Sequence, residues 1–152
     1  MSAAPQSAID LRAARPGDID EISALEERCF PQPWRREFFE SELRGSGRYN
    51  VVAHKHGRIA GYVFAMWFFD EMHINKIAVD ERERRQGIAL ALMGECLRFA
   101  KVNRIKTISL EVRKSNDGAQ EFYRFLDFEP TYTRPRYYPD GEAAVVMVKV
   151  LG

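Results

Sequence analysis

The most constraining stretch of the chain is 49–79, where three strand-like runs follow one another with almost nothing between them. The runs 49–56, 58–68 and 72–79 are rich in β-branched and aromatic residues. Lys55-His56-Gly57-Arg58 is short enough for a hairpin turn, and Asp70-Glu71 makes a second tight link. Parallel neighbours would need a long crossover, so an antiparallel meander is expected.

Other elements fit around that meander. Ile9, Leu11 and Ala13 alternate with Asp10 and Arg12, which predicts a short strand. Pro16-Gly17-Asp18 turns the chain and is expected to cap a helix running to about Arg28. Pro31 and Pro33 break it, and a second helix is expected from Trp34 to Leu43, ended by Gly45-Ser46-Gly47. After the meander, the stretch 87–102 reads as a long helix with Ala89, Met93, Cys96, Leu97 and Ala100 on one face. The stretch 106–112 reads as a strand with Ile108, Leu110 and Val112 on one side. Ser115-Asn116-Asp117 resembles a helix cap ahead of Ala119, Phe122, Tyr123 and Leu126. Two last strands are expected over 128–133 and 143–150. The order β-α-α-β-β-β-α-β-α-β-β predicts an α/β (α+β) fold: a mixed, mostly antiparallel central sheet with helices on both faces. With no repeat or linker, residues 1–8 read as a flexible N-terminus and 9–152 as a single domain.

Composition narrows the function classes. A net charge of +1 gives no general attraction to nucleic acid, so any bound anion needs a local arrangement. Cys29 and Cys96 are too few for a disulfide scaffold, and a reducing compartment is the simpler reading. No zinc spacing exists, and His54 and His56 read as a polar pair flanking a turn. His73 reads as structural. The first residues lack the pattern of a signal peptide, and the longest apolar run is far short of a membrane span. A cytoplasmic protein is expected, with no metal, no direct nucleic-acid partner and no membrane partner.

The segment from Val79 to Gly87 joins a strand to a helix. A helix start offers backbone N–H groups without internal partners at the positive end of the dipole, which suits a pyrophosphate. Gly87 lets phosphates approach the backbone, Ala89 keeps the next inward position small, and Arg82, Arg84 and Arg85 add positive charge. Glu81 and Glu83 could instead pair with those arginines in an ordinary surface turn. Neither a Walker loop nor a three-glycine dinucleotide fingerprint is present.

The residues Asn75-Lys76-Ile77-Ala78-Val79 and Arg84-Arg85-Gln86-Gly87-Ile88-Ala89 resemble the acetyl-CoA motif of the GNAT superfamily. Leu110-Glu111-Val112-Arg113, Ser115-Asn116 and 122–128 follow in matching order and spacing. Phe30-Pro31-Gln32-Pro33-Trp34 and 137–142 make the set similar to ribosomal-protein-alanine N-acetyltransferases of the RimI type. Departures are Ala89 for the second glycine, Arg35 where a capping Ser is usual, Asp127 where a glycine is usual, and the lost acid in Gly141-Glu142-Ala143-Ala144.

The resemblance implies a GNAT fold with acetyl-CoA as cosubstrate and no metal. It assigns the pantetheine arm to Ile77, Ala78 and Val79, and the pyrophosphate to Arg84, Arg85, Gln86, Gly87, Ile88 and Ala89. Asn116 would touch the cofactor from the next helix. Glu111 would be the general base and Tyr123 the general acid, and a backbone N–H near Val79 would meet the oxyanion. Phe30, Trp34, Tyr137 and Tyr138, with Arg134 near them, would flank the acceptor entrance. Without the resemblance, Glu111 reads as a solvated acid and Tyr123 as core.

Freeing an amine from its proton at pH 7 costs about 1.4 kcal/mol for an N-terminus and about 4.6 kcal/mol for a lysine. A base is therefore useful, and Glu111 could serve if burial raises its pKa. The expected activity is direct acetyl transfer to a protein N-terminal α-amine in a ternary complex. The N-terminal alanine of a small-subunit ribosomal protein is one such acceptor. The expected assembly is a monomer or weak dimer. The alternatives are an acetyltransferase for a small-molecule amine or a lysine side chain, and a non-catalytic CoA-binding module.

Overall fold

A computed structural model describes residues 8–152. Residues 1–7, within the segment expected to be a flexible N-terminus, lie outside the described residues. The elements are β1 (Asp10–Ala13), α1 (Ile19–Cys29), α2 (Arg36–Arg44), β2 (Arg48–Lys55), β3 (Arg58–Phe68), β4 (Glu71–Val79), α3 (Ile88–Val102), β5 (Thr107–Arg113), α4 (Asp117–Phe125), β6 (Glu129–Arg134) and β7 (Ala144–Val150). Their order is the expected one, with short 3-10 turns added at Pro16–Asp18 and Glu81–Glu83. Seven strands hydrogen-bond in the order β1-β2-β3-β4-β5-β7-β6. β4 and β5 run parallel, whereas β1/β2, β5/β7 and β6/β7 run antiparallel.

The chain divides into two compact units. The first holds residues up to Ala65 together with Lys76–Leu97. Its β2–β3 hairpin closes through His56 and Gly57, whose φ values of 56° and 75° are those of a type I′ turn. Ile19, Ile22 and Leu25 of α1 and Phe39 of α2 form its core with Val52, Ile59, Tyr62, Phe64 and Ala78. Phe39, Tyr62 and Phe64 meet edge to face at 5.1–5.9 Å. The next residue along from Tyr62 faces the other way. A Cβ on Gly61 would stand 2.8 Å from the Ala78 carbonyl oxygen and 3.0 Å from Ile88 in the first turn of α3. So β3 carries α1 and α2 on one face and α3 on the other.

The second unit holds Met66–Asn75 and Arg98–Gly152. The alternation in β5 is as expected: Ile108, Leu110 and Val112 are buried, and Ser109, Glu111 and Arg113 line the other face. Tyr123 of α4 is buried beside Phe122 and Phe128. Asp127 takes the left-handed conformation (φ 68°) that its place after the helix predicts. β6 is exposed along its whole length, and its register against β7 shifts between Pro130 and Tyr132.

Two local expectations need correcting. Asp18 does not cap α1 with its side chain; it accepts from the Arg15 N–H and from Arg12, both at 2.8 Å. The Arg12 hydrogen bond is the main reason its carboxyl titrates below the ordinary range. Trp34 lies ahead of α2, which starts at Arg36, and Arg35 supplies no side-chain cap.

Gly61→Ala is expected to destabilise the fold by about 1–3 kcal/mol, because the clash is with backbone. Gly94→Ala, in open space on α3, should stabilise it by about 0.5–1 kcal/mol. Denaturant unfolding of the two variants checks both signs.

Candidate active site

In the first unit, β4 gives way to α3 through a turn organised by Asp80. Its amide donates to the Ala60 carbonyl at 2.7 Å. Its buried carboxylate accepts from the Arg82 amide and guanidinium and from Arg28, at 2.8–3.2 Å. Those bonds, Arg82 foremost, hold the carboxyl far below the ordinary range. The charge of Arg82 is thus committed to Asp80, while Arg84 and Arg85 remain exposed. Glu83 turns inward to Arg58 and Lys55, at 3.2 and 3.6 Å, and forms no ion pair with Arg84 or Arg85.

Arg85 and Gly87 both have positive φ, 63° and 83°. The first backbone bond of α3 runs from the Ala91 N–H to the Gly87 carbonyl at 2.9 Å. The amides of residues 88–90 therefore precede the helical bonding and face the chain's approach. Nothing stands within 4 Å of the position a Gly87 Cβ would take. Ile88 is buried and anchors the turn, and the Gln86 side-chain carbonyl accepts from Lys55. Ahead of the turn, Ala78 is buried, Ile77 is half-buried, and the Val79 carbonyl accepts from the Cys29 thiol at 3.5 Å.

Phe30 and Trp34 belong to the same unit and pack against its core. The Trp34 amide donates to Glu26 at 2.9 Å. Glu26 is fully buried and also accepts from the Tyr62 hydroxyl and, at 2.8 Å, from Lys76. The Lys76 ammonium stands 3.8 Å from the Phe30 ring centre and 4.9 Å from that of Trp34.

In the second unit, β4 and β5 pair His73 with Ser109, two residues before Glu111. His73 Nε2 lies 2.8 Å from Glu111 Oε2, and Nδ1 lies 2.8 Å from Ser109 Oγ. A neutral ring that donates Nε2–H to Glu111 accepts the Ser109 hydroxyl at Nδ1; a protonated ring donates to both. Arg134 Nε stands 4.0 Å from the other Glu111 oxygen. Burial is the largest single influence on Glu111 and pushes its pKa up, but His73 and Arg134 together outweigh it and the net direction is down. The condition set for Glu111, that burial raise its pKa, is therefore not met. Glu111 is instead a carboxylate kept ionised.

The Arg134 guanidinium also lies 5.7 Å from the Tyr137 ring, and Tyr137 meets Tyr138 edge to face. Burial pushes the Tyr138 hydroxyl up to about 12, and the Arg113 guanidinium lies 4.1 Å from its ring. Arg113 bonds Asp140 and Glu142, and Glu142 also accepts from the Ser115 amide at 2.9 Å. Bonding to Ser115 and Arg113 holds Glu142 down to about 2. The loop bearing both tyrosines is thereby tied to the end of β5. Asn116 caps α4, its side chain accepting from the Ala119 amide at 3.1 Å.

Among the sequence-predicted residues, Ile77–Ala89, Phe30 and Trp34 fall in the first unit. Glu111, Asn116, Tyr123, Tyr137 and Tyr138 fall in the second. Sequence reasoning missed Asp80 and His73 as organisers. No local signal marks His73, because it meets Glu111 only through the pairing of β4 with β5. Among the described residues no helix is long and apolar enough to cross a membrane, and no group of three or more metal-ligating side chains occurs.

The profile of the acetyltransferase (GNAT) family matches residues 19–128. An N-alpha-acetyltransferase of Sulfurisphaera tokodaii is 31% identical over 154 residues, covering 93% of this chain and 92% of that protein. The crystal structure of the ribosomal-protein-S18-alanine N-acetyltransferase from Escherichia coli superposes with a TM-score of 0.89 at 28% identity, covering 95% of both chains. Ard1 from Thermoplasma volcanium also gives 0.89, at 27% identity, covering 95% of this chain and 99% of that one.

Replacing His73 with Leu removes the hydrogen bond and nearby charge that lower the Glu111 pKa and leaves burial, which raises it. If Glu111 must be ionised for activity, the acid limb of the pH–rate profile should move to higher pH in this variant. An unmoved limb would separate His73 from the ionisation of Glu111.

Proposed function

The chain belongs to the acetyltransferase (GNAT) family, and on that premise we propose that it moves the acetyl group of acetyl-CoA directly to the α-amine of a protein N-terminus. The family's enzymes use acetyl-CoA, and the turn into α3 suits its pyrophosphate. It combines the uncommitted amides of residues 88–90, open space at Gly87 and the exposed Arg84 and Arg85. Gln86, Ile88 and Ala89 shape that turn, and the backbone of Ile77, Ala78 and Val79 would take the pantetheine arm. When bound, acetyl-CoA supplies an activated thioester.

Glu111 carries the reading. Held ionised by His73 and Arg134, it can accept the proton that the acceptor ammonium must lose before the neutral amine attacks. A carboxylate with a lowered pKa is a weak base, so its value lies in position and charge. An N-terminal amine needs only about 1.4 kcal/mol of deprotonation at pH 7, which suits such a base better than a lysine does. Tyr123 would return a proton to the leaving thiolate, and Asn116 would contact the cofactor beyond its capping role. Phe30, Trp34, Tyr137 and Tyr138 would grip the acceptor peptide, rigid aromatics losing little entropy on binding.

The full-length relation to an N-alpha-acetyltransferase and the likeness to the S18-alanine enzyme favour a protein N-terminus, a ribosomal protein beginning with alanine among the candidates. We read residues 9–152 as one working domain, acting in the cytoplasm as a monomer or weak dimer.

CoA release from acetyl-CoA is expected with peptides bearing a free N-terminus, and not with lysine peptides blocked at the N-terminus or with polyamines. Turnover confined to small amines would overturn the acceptor assignment; tight CoA binding without turnover would overturn the enzyme. Glu111→Gln should lower kcat by about 100-fold or more.

A further inference from the structure

We propose that Lys76 is a specificity-determining plug in the acceptor site, limiting the first side chain of the acceptor to a small one. This rests on the reading of Phe30 and Trp34 as acceptor contacts.

Lys76 alternates along β4 with Ile74 and Ala78, both buried, so a cation interrupts an apolar row. Its side chain is only 13% exposed. The ammonium stands 2.8 Å from Glu26, a carboxylate with no exposure of its own. It also lies against both aromatic rings that are read as gripping the acceptor. Glu26 bonds the Trp34 amide as well, so the same carboxylate fixes the aromatic segment and the cation that fills it. A charge matched by Glu26 has no call for an anionic ligand. What Lys76 brings is volume, held where a longer first side chain of the acceptor would have to go. Displacing it would leave the buried Glu26 with the Tyr62 hydroxyl and the Trp34 amide but without its counter-charge, a cost a longer acceptor cannot recover.

Kinetics of the whole protein with acetyl-CoA and peptides starting with Gly, Ala, Ser, Val or Leu provide the test. The wild type should lose kcat/KM steeply from Ala to Leu; a flat series overturns the plug without any variant. Two paired variants then isolate volume from charge. Glu26→Gln with Lys76→Ala neutralises the pair and empties the space, whereas Glu26→Gln with Lys76→Met neutralises it and keeps the space filled. The first should raise the Leu-to-Ala ratio of kcat/KM by about tenfold or more over the second. Equal ratios, with any losses spread evenly over all peptides, would make Lys76 a support for the loop and nothing more. A wild type that acetylates small amines but no peptide would instead sink the acceptor reading on which the plug stands.

Discussion

A carboxylate with no access to water must find its partners inside the protein, and Glu26 is that carboxylate. Leaving it unsatisfied would cost several kcal/mol. It is met by the Tyr62 hydroxyl from β3, the Lys76 ammonium from β4 and the Trp34 amide from the segment after α1. Each partner comes from a different element, so one demand for hydrogen bonds fixes three pieces of backbone. Phe39, Tyr62 and Phe64 are among the buried apolar residues of this core, and the burial of apolar surface is by itself non-directional. Glu26 supplies direction and sets where Trp34 stands.

The same device recurs twice with different results. Asp80 gathers Arg82 and Arg28 and leaves Arg84 and Arg85 exposed at the start of α3. Glu111 gathers His73 and Arg134 but keeps some exposure. At Asp80 the charges shape a turn. At Glu111 they fix the ionisation state of a group read as taking part in chemistry. Burial alone would have driven both acids toward the neutral form, and in both cases the neighbours win.

The alternation in β5, the tight turn at His56-Gly57, the left-handed Asp127 and the uncapped start of α2 were all legible in the sequence, because each depends on neighbours within a few residues. The GNAT motifs were legible too, since the turn into α3 and the strand before it are contiguous. The roles of Glu26, Asp80 and His73 were not. Lys76 lies 50 residues from Glu26, and Ser109 lies 36 from His73. A charge or an imidazole in an otherwise apolar strand carries no mark of the distant group it meets. Asp18 misled for a different reason: its position suits a cap, but two near neighbours, Arg12 and the Arg15 amide, take its oxygens instead.

β6 closes one edge of the sheet, with one row of backbone groups facing away from β7. Such an edge is a template on which another chain can add a strand. Here it is broken three ways: Pro130 has no N–H to give, the register shift beside Thr131 bends the ladder, and Glu129 and Arg134 place charge at its two ends. The strand that carries Arg134 toward Glu111 is thus also the one that protects the protein from growing its sheet into a neighbour's. Any change to Pro130 or to the register shift therefore acts on the sheet edge as well as on the strand that holds Arg134.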